Sequence, residues 1–259
     1  MEKQSYSLEL SNAELIWLSR IFSKIALPLL FSASDSANLR KAEAEIEKGR
    51  DSLIAKKWMT RSGNGSFQVD RLLYFLVDWL SQPEEVIAVN NIHKEKPSSQ
   101  FLFHQKDDHY LLVIPQGEAF KFELLADQKA SKTAILQQGG FEDKKCASLP
   151  PVRLPMLQPL ELVQLTWQST DKAAEAMRVG GVDGGTTQEC IPWLAELTSA
   201  GLITKYDYEK NGESPLTQVL YAENENGFWL SSFFDEKQNL FLMENITREI
   251  IITRILGEG

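Results

Sequence analysis

The side chains that could do chemistry are few and widely spaced. The only histidines are His93, His104 and His109, and the last two flank a Lys106, Asp107, Asp108 turn that could bring them across a hairpin. A metal centre also wants a third ligand and outer partners that fix each imidazole. The spacing supplies neither, so these read as hairpin polar residues and no metal is assigned. Gly180, Gly181, Gly184 and Gly185 precede a helix start, where backbone amides can receive an anion. A phosphate loop needs Gly-Lys followed by Ser or Thr, whereas Thr186 and Thr187 follow here without a Lys. The stretch reads as a flexible connection between helices. Glu84 with Glu85, and Asp107 with Asp108, fall at strand ends and turns, where charge is ordinary, and do not form an acid/base pair. Cys146 and Cys190 are the only cysteines and form no CxxC pair, so two reduced thiols are expected. With no Gly-x-Ser-x-Gly elbow and no HExxH, the reading assigns no catalytic residue, no metal and no cofactor, and the chain reads as a non-enzyme.

The totals bound the remaining classes. A chain of 259 residues with 43% hydrophobic and 24% charged residues can bury a substantial core in one or two domains. A net charge of -9 opposes non-specific binding to nucleic acid or anionic lipid, although a local basic patch could override it. Met1 to Ser7 lacks the apolar core of a signal peptide, and no stretch approaches the roughly 20 apolar residues of a membrane span. A cytoplasmic protein is expected, with no membrane and no nucleic-acid partner.

The elements follow from spacing. Leu8 and Leu10 alternate with polar residues as a short strand. Ser11 and Glu14 form a capping box before a helix running to about Leu27 and ended by Pro28. A longer helix is expected from Asp35 to Lys57, then a turn over Ser62 to Gly65, and a helix capped by Asp70 and stopped by Pro83. Strands at Val86 to Asn90, Phe101 to Gln105, Tyr110 to Ile114 and Phe120 to Leu124 form an antiparallel meander, and a helix over 127–137 follows. Gly139 to Pro155 carries two Gly and three Pro, and 139–149 within it reads as a linker. Beyond it the spacing predicts a strand at Val152 and Leu154, helices at 159–168 and 172–178, and a helix capped by Thr186 and Glu189 that ends at Gly201. Pro192 should sit in its first turn or kink it. Strands at 202–208, 216–222, 228–234 and 240–244 and a last helix capped by Asn245 complete the order.

That order occurs twice. Leu53, Trp58, Met59, Thr60 and Arg61 match Leu197, Leu202, Ile203, Thr204 and Lys205 at a constant offset of 144. Leu10, Glu14, Leu15, Ile16 and Leu18 match Leu157, Glu161, Leu162, Val163 and Leu165 at 147. The expectation is two related halves, 1–138 and 150–259, sharing one sheet in a single structural unit. The Leu197, Gly201, Leu202, Ile203 run also resembles the end of a winged-helix recognition helix, and a winged-helix transcriptional regulator is the alternative function. Thr186 to Ser199 holds no Lys or Arg to meet phosphates, while Glu189 and Glu196 are present.

Three local patterns carry a family resemblance: the strand and helix of Leu8 to Leu18, the run Leu80, Ser81, Gln82, Pro83, Glu84, Glu85, Val86, and the group Glu223, Gly227, Phe228, Trp229. With the order of elements, they make the chain resemble the EspG family, the ESX secretion-associated chaperones of type VII secretion. The resemblance implies an α+β fold with a central antiparallel sheet, helical bundles and two pseudo-symmetric halves. It also implies a cytoplasmic chaperone or adaptor whose partner is a helical secretion substrate of the PE/PPE or WXG kind.

A candidate surface for such a partner lies in the last two strands. A loop over 235–238 pairs Phe234 with Asn239. That pairing puts Phe228, Leu230, Phe241 and Met243 on one face and Trp229, Phe233, Leu240 and Leu242 on the other. Both faces are apolar, so one covers the core and the other is covered by the chain's own helices or by a partner. If a partner covers it, Trp229, Phe233, Leu240 and Leu242 are the residues expected to bind.

Overall fold

The computed structural model describes residues 6–22, 39–139, 152–155, 159–208, 215–235 and 240–246. The architecture is α+β, a large antiparallel sheet with seven helices among the described residues. By contacts the chain divides into two compact units. One comprises 1–87, 101–131 and 206–215, the other 88–100, 132–205 and 216–259.

In the first unit, β1 (Ser7–Ser11) buries Leu8 and Leu10 and leads into α1 (Asn12–Ile21). The capping box forms as its sequence requires: the Glu14 N–H donates to Ser11 Oγ at 3.2 Å and the Ser11 N–H to Glu14 Oε2 at 2.7 Å. The same carboxylate is wholly buried and also receives Ser52 Oγ at 2.7 Å from α2 (Leu39–Ala55) and Lys56 Nζ at 2.9 Å from the residue after it. One side chain thus caps α1 and ties it to α2. The two helices meet so closely that a Cβ on Gly49 would lie 2.1 Å from the Ala13 carbonyl oxygen.

α2 ends in a Schellman turn, with the Lys57 N–H on the Ile54 carbonyl and the Trp58 N–H on the Leu53 carbonyl, both at 3.0 Å. The left-handed position of that turn, φ 63°, is held by Lys57 where glycine is usual. β2 (Met59–Arg61) and β3 (Phe67–Val69) then form a separate hairpin. Asp70 caps α3 (Arg71–Ser81), accepting the Leu72 N–H at 2.8 Å, and Pro83 lies just beyond the end. β4 (Glu85–His93) leaves the first unit after Ile87.

β5 (Ser99–Lys106), β6 (His109–Gln116) and β7 (Ala119–Leu125) form the expected meander, each a few residues longer than alternation indicated, and β1 adds beside β7. Leu10 stands opposite Phe120 and Leu8 opposite Phe122, so the buried face is continuous across these strands. Lys121 and Glu123, on the other face, pair with each other and stay partly wet.

The second unit takes up the chain within α4 (Gln128–Gln138). β8 (Val152–Pro155) follows, then α5 (Pro159–Gln168), α6 (Thr170–Val179) and α7 (Gly184–Glu196). β9 (Ser199–Asp207), β10 (Pro215–Asn224), β11 (Gly227–Asp235) and β12 (Leu240–Asn245) complete it. Its strand order is β4-β9-β10-β11-β12-β8, so β8 precedes these helices in sequence yet pairs beside the last strand.

Several expectations are corrected here. α7 begins at Gly184 rather than at Thr186, because the Asp183 carboxylate accepts the Thr186 N–H at 2.9 Å and caps the helix earlier. Gly184 and Gly185 are therefore its first turn, not a loose connection, and Pro192 lies inside the helix beyond that turn. The helix stops at Glu196 instead of Gly201, since the Thr198 N–H is already taken by the Glu223 carbonyl at 2.8 Å. Gly201 is no helix cap but a packing glycine within β9: a Cβ there would lie 2.3 Å from the Tyr221 ring and 2.4 Å from the Asn90 carbonyl oxygen. The first helix, expected to reach about Leu27, ends instead at Ile21, where Phe22 caps it and donates its N–H to the Leu18 carbonyl at 3.0 Å. Residues 35–38, most of the linker and the helix after Asn245 lie outside the described residues.

Candidate partner-binding surface

The β11–β12 hairpin is where the sequence placed a binding surface, and its register differs from the expected one. β11 runs on to Asp235, which pairs with Leu240, and Phe234 stands opposite Phe241, not Asn239. A register shift between Ser231 and Phe233 then adds one unpaired residue to β11. One extra residue inverts the side on which every later side chain stands. Trp229 therefore shares its face with Met243 and Phe241, while Leu242 stands on the opposite face with Phe228 and Leu230. The grouping of Trp229 with Leu242 is corrected by this bulge.

Trp229 is 2% exposed and belongs to the core cluster made by α5, α6, α7 and the sheet, with Met243, Leu154, Leu162, Met177, Leu194 and Ala222 around it. Its ring meets Trp193 edge to face, centroids 5.5 Å apart. Leu242 is half-buried, opposite the exposed Arg153 and two residues along the strand from the half-buried Glu244, on the same face. Positions 233 and 240 share the Leu242 face by register; their side chains lie outside the described set.

The motif Glu223, Gly227, Phe228, Trp229 acquires a structural role. Asn224 Oδ1 accepts the N–H groups of Asn226 and Gly227, at 2.8 Å and 3.0 Å, and so sets the β10–β11 turn. Glu223 receives Ser199 Oγ at 3.0 Å, and Phe228 stacks on Tyr221.

The chemistry-bearing residues do not converge. In the β5–β6 ladder His104 stands opposite Leu111 and Lys106 opposite His109, so the two histidines are not partners across the hairpin. His109 lies against the edge of Trp79 and Phe75, beside the Lys106–Asp78 ion pair of 3.1 Å. His104 is buried, its pKa pushed down to about 4 by burial. His93 is held below its ordinary range by partial burial and then by Lys96. Burial pushes the Cys190 thiol up to about 12, which leaves it an inert core residue. Cys146 lies outside the described residues. Among the described residues no group of three or more His, Cys, Asp or Glu could hold a metal ion, and no helix is long and apolar enough to cross a membrane.

A separate β2–β3 hairpin before a strongly apolar helix, a β4–β7 meander, and a second meander preceded by three helices together define an EspG-like α+β fold. The particular likeness is to the type VII secretion system chaperone EspG5 of Mycobacterium tuberculosis, solved in complex with the PE25–PPE41 dimer. The two folds match with a TM-score of 0.58 at 10% identity, over 97% of this chain and 96% of that chain. No protein-family model matches the chain, and no curated protein matches it in sequence.

Proposed function

We propose that this chain is a cytoplasmic chaperone or adaptor that holds a helical secretion substrate, of the PE/PPE or WXG kind, for a type VII (ESX-like) secretion system. The observation that carries this reading is the end-to-end correspondence with a chaperone solved in complex with such a dimer. Correspondence over nearly the full length of both chains supports a shared task better than a common subdomain would, although folds are reused for many ends. The reading gives the chain no catalytic step. Within the second unit, the half-buried Leu242 between Arg153 and Glu244, with positions 233 and 240 on the same face, is the surface we assign to the partner. An apolar centre with a charged border is the usual anatomy of such a contact.

The test is affinity purification from the native host, followed by identification of what co-purifies and by size-exclusion chromatography of the pair. The expected result is a small protein of helical-hairpin pattern in a stable complex. Recovery of promoter DNA with sequence-dependent binding at low salt would replace the chaperone reading with a transcriptional regulator.

A further inference from the structure

The first unit carries a second concave feature, distant in sequence from the surface just assigned. The β2–β3 hairpin and the start of α3 border a cavity of about 500 Å³ whose lining includes Lys57, Trp58, Met59, Asp70, Arg71 and Tyr74. Met59 is buried, Trp58 is half-buried, and Tyr74 stands 56% exposed. The opening thus offers apolar and aromatic surface with two cations.

Charge here runs against the balance of the whole chain. The chain carries a net charge of -9, yet from Lys56 to Arg71 it holds Lys56, Lys57, Arg61 and Arg71 against Asp70 alone. Lys56 is spent on the buried Glu14, Arg61 lies over the Phe67 ring, and Asp70 accepts the Leu72 N–H as a helix cap. Lys57 and Arg71 border the cavity with no ion pair among the described residues.

The backbone supplies a second, independent sign. Lys57 occupies the left-handed position of the Schellman turn, where glycine would be free of strain. Strained non-glycine residues cluster at functional sites. Here the left-handed residue is a cation at the border of the cavity.

We propose that this groove binds an acidic segment of a partner protein, with carboxylates on Lys57 and Arg71 and an apolar side chain against Trp58 and Tyr74. The lining is too exposed to enclose a small molecule, which typically loses most of its surface to a pocket. Two cations on a strongly acidic chain are too few to hold a phosphate backbone. The site does not depend on the secretion reading and can stand if that reading fails.

The test measures fluorescence anisotropy of a short labelled peptide of Asp, Glu and Leu with one central Trp, beside its Asn and Gln counterpart. The variants are Lys57→Gly, Arg71→Gln and, as a control of equal charge change outside the groove, Lys172→Gln. Saturable binding of the acidic peptide is expected, weakened by salt. Lys57→Gly and Arg71→Gln should each lower affinity about tenfold, the scale of one charge-assisted contact, while Lys172→Gln leaves it unchanged. Lys57→Gly should at the same time raise the thermal midpoint, because it relieves the left-handed strain. Binding lost as stability rises cannot be a folding defect. Equal binding of the neutral peptide, no saturable binding, or unchanged affinity in both groove variants overturns the proposal. So does tighter binding of phosphatidylserine vesicles or duplex DNA that the same two variants abolish.

Discussion

His104 is an imidazole with nowhere to put a charge. It is 6% exposed in the middle of β5, and neither ring nitrogen has a hydrogen-bond partner. Its folded pKa of about 4 lies below the ordinary histidine value near 6.5, so the unfolded chain takes up the proton first as pH falls. The stability associated with this residue is complete above about pH 6.5 and is lost progressively toward pH 4, on the order of 3 kcal/mol in all. His104→Leu should flatten the dependence of the thermal midpoint between pH 6.5 and 5, read by circular dichroism melts. An unchanged slope would mean that other groups set it. The sequence held a signal for this burial, because alternation along β5 puts position 104 on the face of Leu102, which is buried. Reading histidine as a hairpin polar residue concealed it. Lys57 was concealed for a different reason: no residue spacing announces a left-handed backbone at a lysine, and only the folded chain shows it.

At the scale of elements, caps and breakers were legible and close approaches were not. Ser11 with Glu14, Asp70 and Pro83 act where their chemistry predicts, since each satisfies or stops a backbone group within a few residues. The end of α7 was misplaced because the competing hydrogen bond comes from Glu223, which is remote in sequence. The face of Trp229 was misplaced because one extra residue in β11 is invisible to an alternation count. Gly49 gave no signal either: in an Ala-, Glu- and Lys-rich helix it reads as a weak point, yet it is where α1 and α2 touch. Gly49→Ala should cost roughly 3 kcal/mol by overpacking, since the obstacle is backbone and cannot rotate away. For a chain of this size that corresponds to a fall of roughly 10 °C in the thermal midpoint. Gly63→Ala, where a Cβ meets nothing within 4 Å, is the control and should stay within about 0.5 kcal/mol of the parent. Equal midpoints for the two variants would show that the helices separate at no cost.

At the scale of the whole molecule, the order of elements carried more information than any residue match. A fold likeness that holds at 10% identity rests on few shared letters, and order was what pointed to the EspG-like fold. The duplication of halves 1–138 and 150–259 remains our proposal, and the membership of each compact unit gives it a physical consequence. The first unit includes residues 206–215 from the second half, and there the Tyr208 N–H donates to the Glu84 carbonyl at 2.9 Å. The second unit includes residues 88–100 from the first half. Ile92 joins its core, the Lys94 N–H donates to the Thr198 carbonyl at 3.0 Å, and Lys94 Nζ donates to the Ala195 carbonyl at 2.9 Å. A cut in the linker therefore removes β4 from beside β9 and leaves the second half with an unpaired strand edge and an open core. Expressed separately, 1–138 and 150–259 should each lack a cooperative thermal transition, and co-expression should restore one. The measurement is a circular dichroism melt of each fragment and of the co-purified pair. A sharp transition in 150–259 alone, near that of the whole chain, would mean that the second half closes its core without β4 and folds as a tethered domain.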